Sequence, residues 1–109
     1  MAINEEILAV LRDDLSDQPG LSEKRMFGGL CVMLNGNMLC GTLEDGAIYR
    51  VGKGHEATAL TVPGAAEMTF TKRKMGGFVE LRGKGFADTD ARAALQRLAL
   101  DFVGDLPPK

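Results

Sequence analysis

Cysteine and histidine are scarce in this 109-residue chain, which has two of the first and one of the second. Two cysteines are too few for a disulfide-stapled scaffold. His55 has no cysteine or carboxylate at ligand spacing apart from the adjoining Glu56, so it reads as a solvated residue at a helix start, and no metal or other cofactor is expected. Long apolar runs are missing too. None approaches the roughly 20 residues of a membrane span, and the first apolar positions interleave with Glu5, Glu6 and Arg12, unlike a signal peptide. These absences lead to the expectation of a cytoplasmic protein in a reducing compartment, away from membranes. The net charge of −2 argues against a dedicated nucleic-acid binder. No catalytic constellation is found, and no enzymatic activity is expected.

What is present is globular. Hydrophobic residues make up 45% of the chain and charged residues 26%, which suits one domain over residues 1–109 with a core of its own. Charge is unevenly spread: residues 1–23 carry −5, residues 24–86 carry +4 and residues 87–109 carry −1. Balance between packed elements is the simplest explanation.

Asn4 is a good N-cap, followed by Glu5 and Glu6 where the helix dipole favours carboxylates, with Ile3 and Leu8 placed as a hydrophobic staple. Ile7, Leu8, Leu11 and Leu15 share a face, and Pro19-Gly20 ends the helix. Asn35-Gly36 between apolar runs predicts a two-residue hairpin turn, since both positions favour φ > 0. Strict alternation from that turn sets Met33 opposite Met38 and Cys31 opposite Cys40. It assigns Leu30, Val32, Leu34, Leu39 and Leu43 to one face, and Cys31, Met33, Met38 and Cys40 to the other. Asp45-Gly46 turns into a strand over 47–51. A short helix follows over 55–60, then a strand around Met68 and Phe70, a loop at Met75-Gly76-Gly77 and a strand over 78–82. A final helix is capped by Asp88, carries the stripe Ala91, Ala94, Leu95, Leu98, Phe102 and Val103, and has Gly104 just beyond its end. The expected order is α-β-β-β-α-β-β-α, a two-layer α+β domain with a mainly antiparallel five-stranded sheet and helices on one face.

"KRMFGGLCVMLNGNMLCGTL", then "YRVG", "PGAAEMTF", "KMGGFVEL" and a closing "LPPK" resemble the TfoX N-terminal domain family along essentially the whole chain. The most specific motif is Met26-Phe27-Gly28-Gly29 ahead of the hairpin. The resemblance implies an α+β fold. It also implies kinship with the TfoX/Sxy regulator of bacterial natural competence, which acts with a cyclic-AMP receptor protein at promoters. That regulator carries a second, C-terminal domain, and this sequence is most like the short, stand-alone members of the family. The resemblance carries no catalytic residues to transfer.

Each motif has a plain structural reading. Gly28 and Gly29 allow a sharp turn or a close backbone approach, with Phe27 as its anchor. Gly52-x-Gly54-x-x-Ala57 follows a strand and opens a helix as a dinucleotide fingerprint would, but the strands before it form an antiparallel meander. Asp88 and Asp90 read as cap and first-turn residues, and Asp13, Asp14 and Asp17 as a solvated helix end. Lys72, Arg73, Lys74, Arg82 and Lys84 are expected near one end of the sheet as a solvated basic rim, or else as an anion or nucleic-acid patch; direct DNA binding is not the favoured reading. The face assigned to Cys31, Met33, Met38 and Cys40 is apolar on the side away from the helices. A homodimer through it, together with binding of another protein, is therefore expected. The rival reading is a small-molecule or nucleotide binder, an enzyme included, with the glycine turns at 28–29, 52–54 and 76–77 as a pocket rim.

Overall fold

The computed structural model describes residues 4–26, 29–70 and 73–108. Helix α1 spans Glu5–Asp14. The Asn4 side chain accepts hydrogen bonds from the backbone N–H groups of Glu6 and Ile7, which otherwise have no partner at a helix start. Ile3, the expected staple residue, lies outside the described residues. Leu8, Leu11 and Leu15 are buried, as the spacing of four and three residues predicts.

The sheet has six strands, not the five expected: β1 Leu21–Met26, β2 Gly29–Leu34, β3 Asn37–Thr42, β4 Gly46–Arg50, β5 Ala65–Phe70 and β6 Arg73–Arg82. Their spatial order is β1-β2-β3-β4-β6-β5, and every pairing is antiparallel. The missed strand is β1. Ser22, Glu23, Lys24 and Arg25 show no apolar alternation because β1 is an exposed edge strand, where charged residues discourage further pairing. Gly29 of the Met-Phe-Gly-Gly motif opens β2 opposite Met26, so the motif joins β1 to β2. Phe27 and Gly28 lie outside the described residues.

The Asn35-Gly36 turn has φ of 52° and 85° at its two residues, as the hairpin signal requires. Leu34 faces Asn37 and Met33 faces Met38, also as expected. One step further the expectation fails. Val32, not Cys31, faces Cys40, and Cys31 faces Gly41. Leu39 is the extra residue of a β-bulge between Met38 and Cys40. A bulge puts two successive residues on nearly the same side, and Leu39 and Cys40 both join the core under the helices. Cys31 and Cys40 therefore belong to opposite faces and do not oppose one another.

After β4 the chain passes through a 3-10 turn, Lys53–His55, into α2, Glu56–Leu60, and crosses to β5 at the far edge. The loop expected at 75–77 is instead part of β6. Glu67 pairs with Val79 and Thr69 with Lys74, so two steps on β5 match five on β6, and the surplus glycine segment is accommodated as a bulge. A four-residue helix α3, Lys84–Ala87, went unforeseen. Helix α4, Thr89–Gly104, is capped by the Asp88 side chain, which accepts from the N–H groups of Asp90 and Ala91. Gly104 lies in its last turn, with Asp105 as the C-cap, rather than beyond its end.

All four helices contribute to one core: Leu11 and Leu15 from α1, Ala59 from α2, Phe86 from α3, and Ala91, Leu95, Ala99 and Val103 from α4. They pack on Val32, Leu34, Leu39, Tyr49, Val79 and Leu81 of the sheet. A smaller cluster lies on the opposite face: Cys31, Met38, Ile48 and Met68, with Met33, Leu43 and Phe78 packed against it. Leu43, assigned by alternation to the helix side, is thus on the outer face. No helix among the described residues is long and apolar enough to cross a membrane.

Candidate functional site

The outer face of the sheet is the first candidate. Cys31 and Met38 are 2% and 7% exposed, so they are already covered within one chain rather than bare, while Met33, Leu43 and Phe78 are half-buried and form the accessible part. Cys40 does not belong here, because the bulge turns it into the helix-covered core at 1% exposure. Burial pushes both thiols up from their ordinary pKa, and Cys40 far up, so neither is a ready nucleophile at neutral pH.

Two of the three glycine turns meet. The carbonyl of Gly77, in the β6 bulge, accepts from the N–H groups of Val51 (2.9 Å) and Gly52 (3.0 Å), and its own N–H donates to the Glu56 carboxylate (2.9 Å). Gly52 and Gly77 have φ of 84° and 85°. A Cβ on Gly52 would stand 2.4 Å from the Phe102 ring, and one on Gly77 would stand 3.2 Å from the Lys53 nitrogen. Gly52 and Gly77 are thus used for close approach, to Phe102 and to the main chain of residues 52–53, whereas a Cβ on Gly54 would meet nothing within 4 Å. Gly29 packs elsewhere, against the Thr42 carbonyl.

The basic residues are split. Lys72 lies outside the described residues. Arg73 begins β6 opposite Phe70, whereas Arg82 ends it opposite Gly46. The partner positions on β5 put the two ends on the order of 20 Å apart, at ~3.3 Å per residue. The expected gathering at one end fails because these bases sit at both termini of one long strand, with Lys74 beside Arg73 and Lys84 beyond Arg82. Arg82 is moreover bound to Asp45 at 2.7 Å and to Glu80 at 3.3 Å.

Two features had no sequence signal. The first is a groove of about 420 Å³ between the end of α1 and β1, floored by Leu15, Leu21 and Val32. Across it Arg12 donates two hydrogen bonds to Glu23, at 2.7 and 2.6 Å, and this holds the Glu23 carboxyl below its usual pKa. The second is a polar seam between α1 and α4. Arg92 donates to Asp14 at 2.8 Å and to the Phe86 carbonyl at 2.8 Å, and Gln96 donates to the Asp14 carbonyl. Near this seam lies Tyr49, 1% exposed, whose hydroxyl has no hydrogen-bond partner among the described residues. The partners are 78 and 82 residues apart in the chain, and nothing local announces such pairs.

The hairpin, the glycine motif ahead of it and the helix-backed antiparallel sheet agree with one family. The model of the TfoX N-terminal domain matches residues 13–103, most of the chain. The chain belongs to the TfoX N-terminal domain family. The match begins in the last turns of α1 and ends one residue short of the end of α4, so it takes in the whole sheet. No curated protein and no solved structure matches the chain. Among the described residues no group of three or more His, Cys, Asp or Glu could hold a metal ion.

Proposed function

We propose that this TfoX N-terminal domain is a non-enzymatic regulatory module that acts through protein contacts and works as a homodimer, with a transcription or competence role of the kind for which the family is named. The observation that carries the reading is the outer face of the sheet. Among the described residues no helix contributes to the cluster on it, and Met33, Leu43 and Phe78 leave apolar surface accessible around a sulfur-rich centre. Methionine side chains repack around an imperfect fit, which suits a docking surface, and a two-fold axis lets one patch serve both copies. Light scattering at micromolar concentration tests it. A dimer mass that falls to the monomer in Met33→Lys with Met38→Lys is expected; a wild-type monomer overturns the dimer. A pull-down from native lysate with that same double variant as control identifies the protein partner.

The second reading, a small-molecule binder, draws on the α1–β1 groove with its apolar floor and the Arg12–Glu23 pair across it. Ligand co-purifying with the chain and lost on Leu21→Glu would favour it.

A further inference from the structure

Among the described residues, sulfur is segregated. The helix-covered cluster holds 17 buried residues, of which only Cys40 carries sulfur, and no methionine packs against it among the described residues. The outer cluster has seven members, and four of them are Cys31, Met33, Met38 and Met68. Hydrophobic burial alone does not sort residues this way, since leucine and valine fill the helix side. Met68 sits on edge strand β5, separated from β2 by three strands. Cys31, Met33 and Met38 are neighbours.

The register defines that neighbourhood. Met33 and Met38 are directly opposite on β2 and β3. The pair Leu34–Asn37 closes the two-residue turn and is hydrogen-bonded, so Met33–Met38 is the alternate, non-hydrogen-bonded kind, where Cα atoms approach to about 4.5 Å and side chains lie closest. Cys31 is two residues along β2 on the same face, one rung away at about 6.6 Å. Its partner is Gly41, and the Sγ lies 3.2 Å from where a Cβ on Gly41 would be, so the thiol overhangs β3 in space that any other residue would occupy. Two thioethers on flexible stems and one thiol therefore share one patch, with Cys31 and Met38 buried and Met33 as its accessible side.

We propose that Cys31, Met33 and Met38 form a binding site for a soft monovalent metal ion, Cu(I). Thiolate and thioether are the ligands that select Cu(I), whereas borderline and hard cations want imidazole or carboxylate, which this patch lacks. On binding, the Cys31 thiol releases its proton to solvent and its sulfur bonds the metal, and each methionine donates a lone pair. Nothing is oxidised or reduced. The product, one Cu(I) with one thiolate and two neutral thioethers, carries no net charge, so the half-buried setting does not penalise it as it would a bare ion.

The test uses the full chain without metal, under anaerobic conditions, titrated with Cu(I) held by the chromophoric chelator bicinchoninate. The site is expected to take one Cu(I) per chain from the chelator, with sulfur as the only neighbour of the metal in X-ray absorption. Cys31→Ser, or Cys31→Ala if the serine variant is unfolded by circular dichroism, abolishes the transfer. Met33→Leu and Met38→Leu each weaken it at least tenfold, while Cys40→Ser leaves it unchanged because that thiol lies on the other face. The leucine variants keep the apolar volume, so they separate ligation from packing: the proposed dimer survives them and copper binding does not. No transfer of copper, or transfer unaffected by Cys31→Ser or by the leucine variants, or loss of transfer in Cys40→Ser, each overturns the site.

Discussion

Removing the hydroxyl of Tyr49 is predicted to make the domain more stable. Tyr49 is the largest of the fully buried side chains, and its ring packs in the helix-covered core. Cys40 is its cross-strand partner, and the charges of Asp14 and Arg92 are close enough to be felt at the phenol. The Asp14–Arg92 pair is satisfied with itself, the hydroxyl bonds to neither, and burial pushes the phenol far above its ordinary pKa. A buried hydroxyl without a partner costs about 1–3 kcal/mol relative to its hydrated state in the unfolded chain. Tyr49→Phe deletes that cost and one atom's worth of contact, so a net gain of about 1 kcal/mol is expected. For a domain of this size that raises the thermal midpoint by about 4–8 °C, or shifts the urea midpoint at constant m. Differential scanning calorimetry of both proteins decides. A midpoint lowered by several degrees would refute the reasoning, because it would mean that the hydroxyl makes a bond in solution and that the loss of that bond, about 1 kcal/mol, dominates.

Three further outcomes follow from the geometry. Gly52→Ala puts a side chain at φ 84° and ψ 151°, a region reached almost only by glycine, with its Cβ 2.4 Å from the Phe102 ring; a loss of about 3 kcal/mol or more in urea unfolding is expected, and a loss under 1 would show that the 52–77 junction is loose. Mild thiol oxidation of the folded protein produces no disulfide between Cys31 and Cys40, since they occupy opposite faces of the sheet; mass spectrometry of peptides linked by that bond would show the register to be wrong. Arg12→Ala lowers stability only slightly at neutral pH, because the pair it breaks is solvent-exposed. Glu23 is held below its ordinary value by the Arg12 hydrogen bond, so that contribution is present above about pH 4.3 and disappears as the pH falls through the lower folded pKa; a wild-type to Arg12→Ala difference that grows in acid contradicts the assignment.

Local chemistry made much of this fold legible. Caps such as Asn4 and Asp88 and turn pairs such as Asn35-Gly36 are decided within four residues, and the structure keeps each of them. The stripe Leu8, Leu11, Leu15 is equally local. What escaped is decided at a distance. Strand β1 is a strand because β2 pairs with it, not because Ser22–Arg25 has strand character. The glycines at 76–77 look like a loop, and they become a bulge because Val51 and Gly52 supply donors to the Gly77 carbonyl. The basic residues at 72–74 and 82–84 look like one cluster until a ten-residue strand separates them. Asp14 and Arg92 could not have been joined by any rule of spacing.

The candidate site turned on a single residue. Alternation from the Asn35-Gly36 turn is correct for Leu34, Met33, Asn37 and Met38, and one extra residue in β3, Leu39, then inverts every assignment beyond it on that strand. Cys40 leaves the outer face for the core, and Gly41 arrives opposite Cys31. The bulge also explains how the patch is shaped. Without it, a cysteine would stand where Gly41 stands and the two thiols would meet as a cross-strand pair, within reach of a disulfide. With it, the Cys31 sulfur has the open space above a glycine and only methionines for soft neighbours on its own face. Deleting Leu39 removes the extra residue without moving either thiol, because Cys40 then follows Met38 directly and still faces Val32 while Gly41 still faces Cys31; the deletion variant is therefore expected to keep two unlinkable thiols, and a Cys31–Cys40 disulfide formed in it on mild oxidation would refute the assignment of Leu39 as the bulged residue.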